Sequence, residues 1–355
     1  MGEKLSPYAS LLAPSRRVRV RLWVLALVPV VVVASMMGWL PRGPIATADH
    51  HTWALFGQPA APGHWVTGDG SYPVALPDGR VAWLFGDSLV RRADGGDTFV
   101  HNTIVVQDDD GRLHTLAGGS STQPADLIPP VQPGTWLWPA SGFVEYGRLL
   151  VFAEEFTAPA GASGEQSFHA TNRRYLVPFQ LPDLRAGAPR PVYDGPVAWG
   201  HAVLVSGGDV YVYGNLQRDG WTNLTYLARF RLGQSAGYWQ FWDGSRFSPN
   251  LLAATPLRGP DGSPLVAKLA SVIPYPSPTP DTAGGVAALT IDPFGTTIDL
   301  RVAAYPQGPW SAKHTLYTVR EDRPYLPRAR ARADGVVQLA YSVADSRPRY
   351  LTVRW

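Results

Sequence analysis

Beyond residue 50 the chain alternates short apolar or β-branched runs with clusters of Gly, Pro, Asp and Asn, and no long run repeats at helical period. That pattern predicts an all-β domain, because turn residues punctuate segments of strand length. The clearest unit spans residues 67–90. An apolar run ending at Leu76, a Pro77-Asp78-Gly79 turn and the strand Val81-Ala-Trp-Leu-Phe85 predict a β-hairpin. Asp69 enters this hairpin and Asp87 leaves it, so its open end should bring two carboxylates together.

Copies of the pattern recur. Leu84-Phe-Gly-Asp87, Val151-Phe-Ala-Glu154, Val212-Tyr-Gly-Asn215 and Leu339-Ala-Tyr-Ser342 each follow a glycine (Gly79, Gly147, Gly208, Gly335), and Gly284-Gly-Val-Ala-Ala-Leu-Thr290 fits more loosely. Spacings of about 50 to 77 residues suit four-stranded propeller blades with long loops. Five units fill the length, which predicts a five-bladed β-propeller over residues 52–355 with no second domain. Residues 52–66 are expected to supply the strand that closes the ring. In a propeller the inner strand of each blade leaves one face and the second strand returns to it. Asp69, Ser141 and His201 (entering inner strands) and Asp87, Glu154 and Asn215 (leaving second strands) should therefore ring one mouth of the central channel.

The N-terminal region differs. Arg16, Arg17, Arg19 and Arg21 precede the uncharged run 22–40, which has the length and composition of a single membrane-spanning helix. The reading is a basic cytoplasmic tail over 1–21, a transmembrane signal anchor over 22–40, a linker over 41–51 and a domain held outside the membrane. The alternative is secretion after cleavage near Ala48, where Ala46-Thr47-Ala48 offers a small-residue site.

Charge narrows the partners. The formal net charge is +3, but residues 1–48 hold six of the 31 basic side chains and one of the 28 acidic ones. The remainder carries 25 basic against 27 acidic groups, a net of −2, which is unlike a nucleic-acid binder. With no cysteine, disulfides and thiolate metal sites are excluded. Walker, dinucleotide-binding, His-Glu-x-x-His and Gly-x-Ser-x-Gly motifs are missing. The three lysines, Lys4, Lys268 and Lys313, among so many arginines read as genome composition.

Gly68-Asp-Gly-Ser-Tyr72, Trp83-Leu-Phe-Gly-Asp-Ser88, Val100-His-Asn-Thr103 and Trp199-Gly-His-Ala-Val-Leu204 resemble a group of bacterial exported five-bladed propellers of unknown function. That group is similar to glycoside hydrolases acting on furanosides, and is related to actinobacterial endo-D-arabinanases. The resemblance covers most of residues 60–355, with its sharp motifs in the first and third units. It implies a sugar-facing propeller, and hydrolysis of a furanoside such as arabinan as the reaction. The second unit departs from it: Pro139-Ala-Ser-Gly-Phe143 has no carboxylate matching Asp69.

Glycoside hydrolysis needs two carboxyl groups flanking the scissile bond, one to protonate the leaving oxygen and one to activate water or attack the sugar. The catalytic candidates are Asp69 as base or nucleophile, Glu154 as acid and Asp87 as a third carboxylate, with roles that can permute. Glu155 points to the opposite strand face and reads as a solvated charge. His101 and Asn102, at the start of a third strand, are candidates for orienting Asp87 or binding sugar hydroxyls. Trp138 and Trp199 offer stacking faces, though tryptophans also fill the wedges between blades. His201 and Asn215 complete the substrate-binding set. No cofactor is expected, except that propellers similar to this one sometimes hold a channel cation such as calcium, for which His201 is the candidate. Two functions follow: a membrane-anchored hydrolase acting on a cell-envelope or environmental polysaccharide, or a carbohydrate-binding or envelope-interaction propeller without catalysis.

Overall fold

In the computed structural model of the protein, which describes residues 43–159, 168–219, 222–275 and 284–355, the hairpin forms as its sequence predicts. Tyr72–Ala75 pairs antiparallel with Val81–Phe85, from Tyr72 opposite Leu84 to Ala75 opposite Val81. Thr103–Gln107 and Leu113–Leu116 extend the ladder into a four-stranded sheet, sheet I. Val81–Phe85 is buried along its whole length, which explains its continuous apolar run in place of an alternating one.

Four more sheets of four or five strands follow among the described residues, besides two smaller sheets of two and three strands. Sheet II is built on Thr135–Glu145, Arg148–Thr157 and His169–Gln180. Sheet III is built on Ala198–Ser206, Asp209–Gln217 and Asn223–Arg231, with two short outer strands. Sheet IV runs Ser271–Pro274, Val286–Thr290, Thr297–Ala303 and His314–Thr318. Sheet V runs Tyr325–Ala331, Val337–Ser342 and Arg349–Arg354, and takes Ile45–Ala48 as its outer strand. The first strands of consecutive sheets are neighbours, and the first strand of sheet V returns to that of sheet I. The architecture is all-β and propeller-like, within one compact unit of Pro44–Trp355.

Apolar wedges between the sheets hold the ring. Leu84, Phe143, Phe152 and Phe230 belong to one continuous core across sheets I to III. Trp83 and Phe85 of sheet I meet Ala340 and Tyr350 of sheet V. Close approach is needed where inner strands converge. Gly200 has φ +95°, and a Cβ there would lie 2.3 Å from the Phe152 ring, so the position takes only glycine.

Ring closure departs from the sequence expectation. The closing strand is Ile45–Ala48, inside the segment read as a linker, and pairs with Leu351–Arg354. Residues 52–66 contribute instead to a helix, His50–Phe56, and to a strand, Trp65–Gly68, of a separate three-stranded sheet. Asp49 decides the helix start: its carboxylate accepts from the Thr52 amide at 3.0 Å and the Thr52 hydroxyl at 2.7 Å. Phe56 then plugs the seam between sheets V and I, with ring centroids 5.0 Å from Tyr350 and 5.6 Å from Trp83. Among the described residues no helix is long and apolar enough to cross a membrane, and the candidate span 22–40 lies outside them.

Deleting Ile45–Ala48 strips the outer ladder of sheet V, and we expect the melting temperature to fall by about 5 °C or more. An unchanged melting curve would show that this strand does not close the ring.

Candidate active site

The open end of the first hairpin is locked by its backbone. The Asp69 amide donates to the Asp87 carbonyl at 3.2 Å, and the Gly86 amide donates to the Asp69 carbonyl at 2.9 Å. The Asp69 carboxylate lies over Gly86, where a Cβ would stand 2.8 Å from Oδ1, so the missing side chain makes room for the acid. Asp69 Oδ2 accepts from the Tyr325 hydroxyl at 3.1 Å, and Asp87 Oδ1 accepts from Trp138 Nε1 at 2.6 Å. Burial pushes the Asp69 carboxyl up to about 6, against the hydrogen bond from Tyr325 and the nearby charge of Arg328. Burial, then the neighbouring Asp69, pushes Asp87 up to about 7.

Asp69 opens onto a cleft of about 1160 Å³ shared with Glu154, His201 and Asn215. Of the six side chains expected round one mouth, Asp69, Glu154, His201 and Asn215 line the cleft, whereas Asp87, bonded to Trp138, and Ser141, bonded to the His201 carbonyl, are not among its lining residues. Thr290, which ends the second strand of sheet IV, lines the same cleft. Ser342, its counterpart in sheet V, accepts from the Gly70 amide at 3.3 Å. Glu154 is held by Arg174 at 2.5 Å and lies 3.7 Å from His201 Nε2. Burial, then the charges of Lys268, Arg328 and Arg174, push the His201 imidazole well below its usual range, so it is neutral at neutral pH.

One wall is aromatic. Trp138 packs on Phe156 (4.2 Å between centroids) and edge-on to Phe168 (4.7 Å), and all three line the cleft. Such a wall suits the apolar face of a sugar ring.

Four sequence expectations are corrected here. Trp199 does not reach the cleft: it is buried in the wedge against Phe241 and Trp239. Asn102 is buried and its amide is fully used, donating to the carbonyls of Ile128 and Leu137 and accepting from the Ile128 amide. It clamps the loop between sheets I and II. His101 pairs with Asp126 at 3.2 Å and stacks on Trp136, away from the cleft lining. Glu155 does point away from Glu154, yet it is buried and not solvated, accepting from Thr171 at 2.8 Å and Tyr175 at 3.3 Å.

The residues around His201 do not fit a calcium ion. Calcium takes about six to eight oxygen ligands, whereas Arg174, Lys268 and Arg328 surround the imidazole with positive charge. Among the described residues no group of three or more His, Asp or Glu side chains is arranged to hold a metal ion.

The family model for a domain of unknown function (DUF5005) matches residues 60–339. The chain belongs to that family. No curated protein matches it in sequence. Its fold is similar to that of a candidate hydrolase from Bacteroides ovatus ATCC 8483, at 15% identity and TM-score 0.62 over 87% of this chain and 90% of that one. The GH43_1 enzyme from Xanthomonas citri complexed with xylotriose follows at 12% identity and TM-score 0.49, over 85% of this chain and 92% of that one. An endo-arabinase from Bacteroides thetaiotaomicron VPI-5482 gives 12% identity and TM-score 0.45, over 83% and 96%. At 15% identity the likeness to the Bacteroides ovatus protein is one of fold.

Four side chains in or beneath this DUF5005 member's cleft escape a reading by repeat: Arg174, Lys268 and Tyr325, which line it, and the buried Arg328. Arg174, Tyr325 and Arg328 are hidden by an Arg-rich composition and by positions that no repeat marks. Lys268 leaves a trace, a lone cation inside the apolar run Leu265-Val-Ala-Lys268-Leu-Ala-Ser-Val272.

A carboxyl raised to about 7 in the fold favours the folded state at low pH and loses that contribution as pH rises through about 7. Asp87→Asn keeps an acceptor for Trp138 and removes the buried charge. We expect it to exceed the parent in stability at pH 8 by on the order of 2–4 kcal/mol, with the gap closing at pH 4. Melting curves at the two pH values check this, and a gap independent of pH would refute the raised pKa.

Proposed function

We propose that the protein is a glycoside-hydrolase-like, five-bladed β-propeller acting on a cell-envelope or environmental polysaccharide. The five sheets are its blades, and residues 22–40 hold it at the membrane with the propeller outside. The single observation that carries the reading is Asp69 on a large cleft with an aromatic wall, with Asp87 beside it at the open end of the same hairpin and bonded to Trp138 of that wall. The resemblance of the sequence motifs favours a furanoside such as arabinan as the substrate.

The two carboxyls divide the labour. Asp87, pushed up to about 7, keeps its proton near neutrality, whereas Asp69, at about 6, gives it up first. Asp87 passes its proton to the glycosidic oxygen as the bond to the anomeric carbon breaks. Asp69 takes the proton of the water that attacks that carbon, or attacks it directly, depending on the separation of the two groups about the sugar. Glu154, engaged by Arg174, is placed to accept from a sugar hydroxyl instead of serving as the acid. This assigns the acid to Asp87, where the repeat alone favours Glu154.

Binding without hydrolysis is the second reading. It is favoured by the segment Pro139-Ala-Ser-Gly-Phe143 of sheet II, which has no carboxylate to match Asp69 of sheet I. Ser141 is spent on a structural hydrogen bond to the His201 carbonyl at 3.1 Å.

The test assays the purified full-length protein on arabinans and galactans. We expect sugar release by the parent, and a loss of at least about 100-fold in Asp69→Asn and in Asp87→Asn. No release from any substrate would favour the binding reading, and equal rates in all three proteins would remove both aspartates from the chemistry.

The same pair sets a pH profile. Activity should rise as Asp69 ionises near 6 and fall as Asp87 ionises near 7, giving a narrow bell. A rate flat from pH 5 to 9 would exclude this acid–base assignment.

A further inference from the structure

The far side of the cleft from the aspartates carries positive charge without a counter-ion. Lys268 lines the cleft half-buried, and among the described residues it forms no ion pair with a carboxylate. The carboxylates nearby are committed elsewhere: Glu154 to Arg174, and Asp292 to Lys313. Beneath the cleft, Arg328 is fully buried with no carboxylate within ion-pair distance, its guanidinium donating to carbonyls and to the Tyr72 hydroxyl. Burial and the charge of Arg328 push the Lys268 ammonium down to about 8, with Glu154 opposing.

Two further groups at this end are unsatisfied. Asn215 and Thr290 line the cleft, are 4% and 3% exposed, and leave Asn215 Nδ2 and Thr290 Oγ1 with no hydrogen-bond partner. Asn215 is held in place because its Oδ1 accepts from Thr225 at 3.2 Å. The same Thr225 hydroxyl donates to the carbonyl of Ala267 at 2.6 Å, which fixes the backbone next to Lys268. A cation, an amide N–H and a hydroxyl, all idle and all at one end of a cleft, are a site prepared for an acceptor that carries negative charge.

We propose that this end of the cleft binds the carboxylate of an acidic sugar, so that the substrate unit held here, beside the unit at the aspartates, carries a uronic acid or an equivalent single negative charge. The inference rests on the carbohydrate reading above and adds the charge class of the substrate. A single charge fits better than a dianion, because Asp69 and Glu154 face the same cleft and would repel a phosphate more strongly. Lys268 supplies the attraction, and Asn215 and Thr290 supply directed hydrogen bonds.

The test is calorimetric titration of the full-length protein with three probes: trigalacturonate, xylotriose as a neutral trimer, and glucose 6-phosphate. Trigalacturonate should bind at least ten-fold more tightly than xylotriose. Lys268→Met should shrink that preference to within two-fold, and Lys268→Arg should retain most of it. Thermal melting of each variant shows that the fold is kept, and Thr290→Val, which leaves Lys268 intact, should weaken trigalacturonate alone. Equal or tighter binding of xylotriose, or a preference that survives in Lys268→Met, would overturn the acidic-sugar inference and leave the carbohydrate reading standing. Tighter binding of glucose 6-phosphate than of trigalacturonate would overturn the carboxylate assignment. Binding of none of the three would overturn this inference, while arabinan release in the activity assay decides the hydrolase reading separately.

Discussion

The buried guanidinium of Arg328 joins four of the five sheets at the centre of the ring. It stands on the first strand of sheet V and donates to the His201 carbonyl of sheet III and the Ala270 carbonyl at the entry to sheet IV. It also donates to the Tyr72 hydroxyl of sheet I, and lies 3.8 Å over the Tyr72 ring. Ser141 brings in sheet II by donating to the same His201 carbonyl. A charge buried so deeply is tolerable only if its donors are used. Here Nη1 and Nη2 are used to hold converging backbones in register, while Nε has no hydrogen-bond partner, and the geometry of the cleft depends on that register.

The same choice shapes the electrostatics of the site. Arg328 has no carboxylate partner, so its charge is felt by what lies above it. It helps keep His201 neutral, lowers Lys268 and moderates the rise of Asp69. The cleft is thus polarised, with two raised aspartates at the sheet I end and an unmatched cation at the sheet III–IV end. An aromatic wall of Trp138, Phe156 and Phe168 lies beside the aspartates. A ring of identical blades would have no such asymmetry. It arises because the equivalent position in or just after each second strand holds a different polar residue: Asp87, Glu154, Asn215, Thr290 and Ser342.

Much of this was legible in the chain. The hairpin at 67–90 is local, and its turn and apolar runs specify its register without help from elsewhere. Its copies fall in strands that pair as hairpins of their own, and Asp69, Glu154, His201 and Asn215 line one cleft. The closing strand was misplaced for a physical reason. Ile45–Ala48 is four residues long and mostly exposed, so it carries little hydrophobic signal, and it is a strand only because the edge of sheet V offers it a ladder.

What the sequence by itself determined was the all-β class, the repeat and which polar residues end the strands, because these follow from local period and turn chemistry. Only the tertiary structure decided what each polar residue does. Trp199 and Asn102 look like ligand-binding residues in the chain, yet packing spends one on a wedge and the other on a loop clamp. Lys268 and Arg328 look incidental among so many basic residues, yet burial without a carboxylate partner leaves their charge unanswered at the site. Burial and partnership are properties of residues far apart in sequence, and they exist only once the ring has closed.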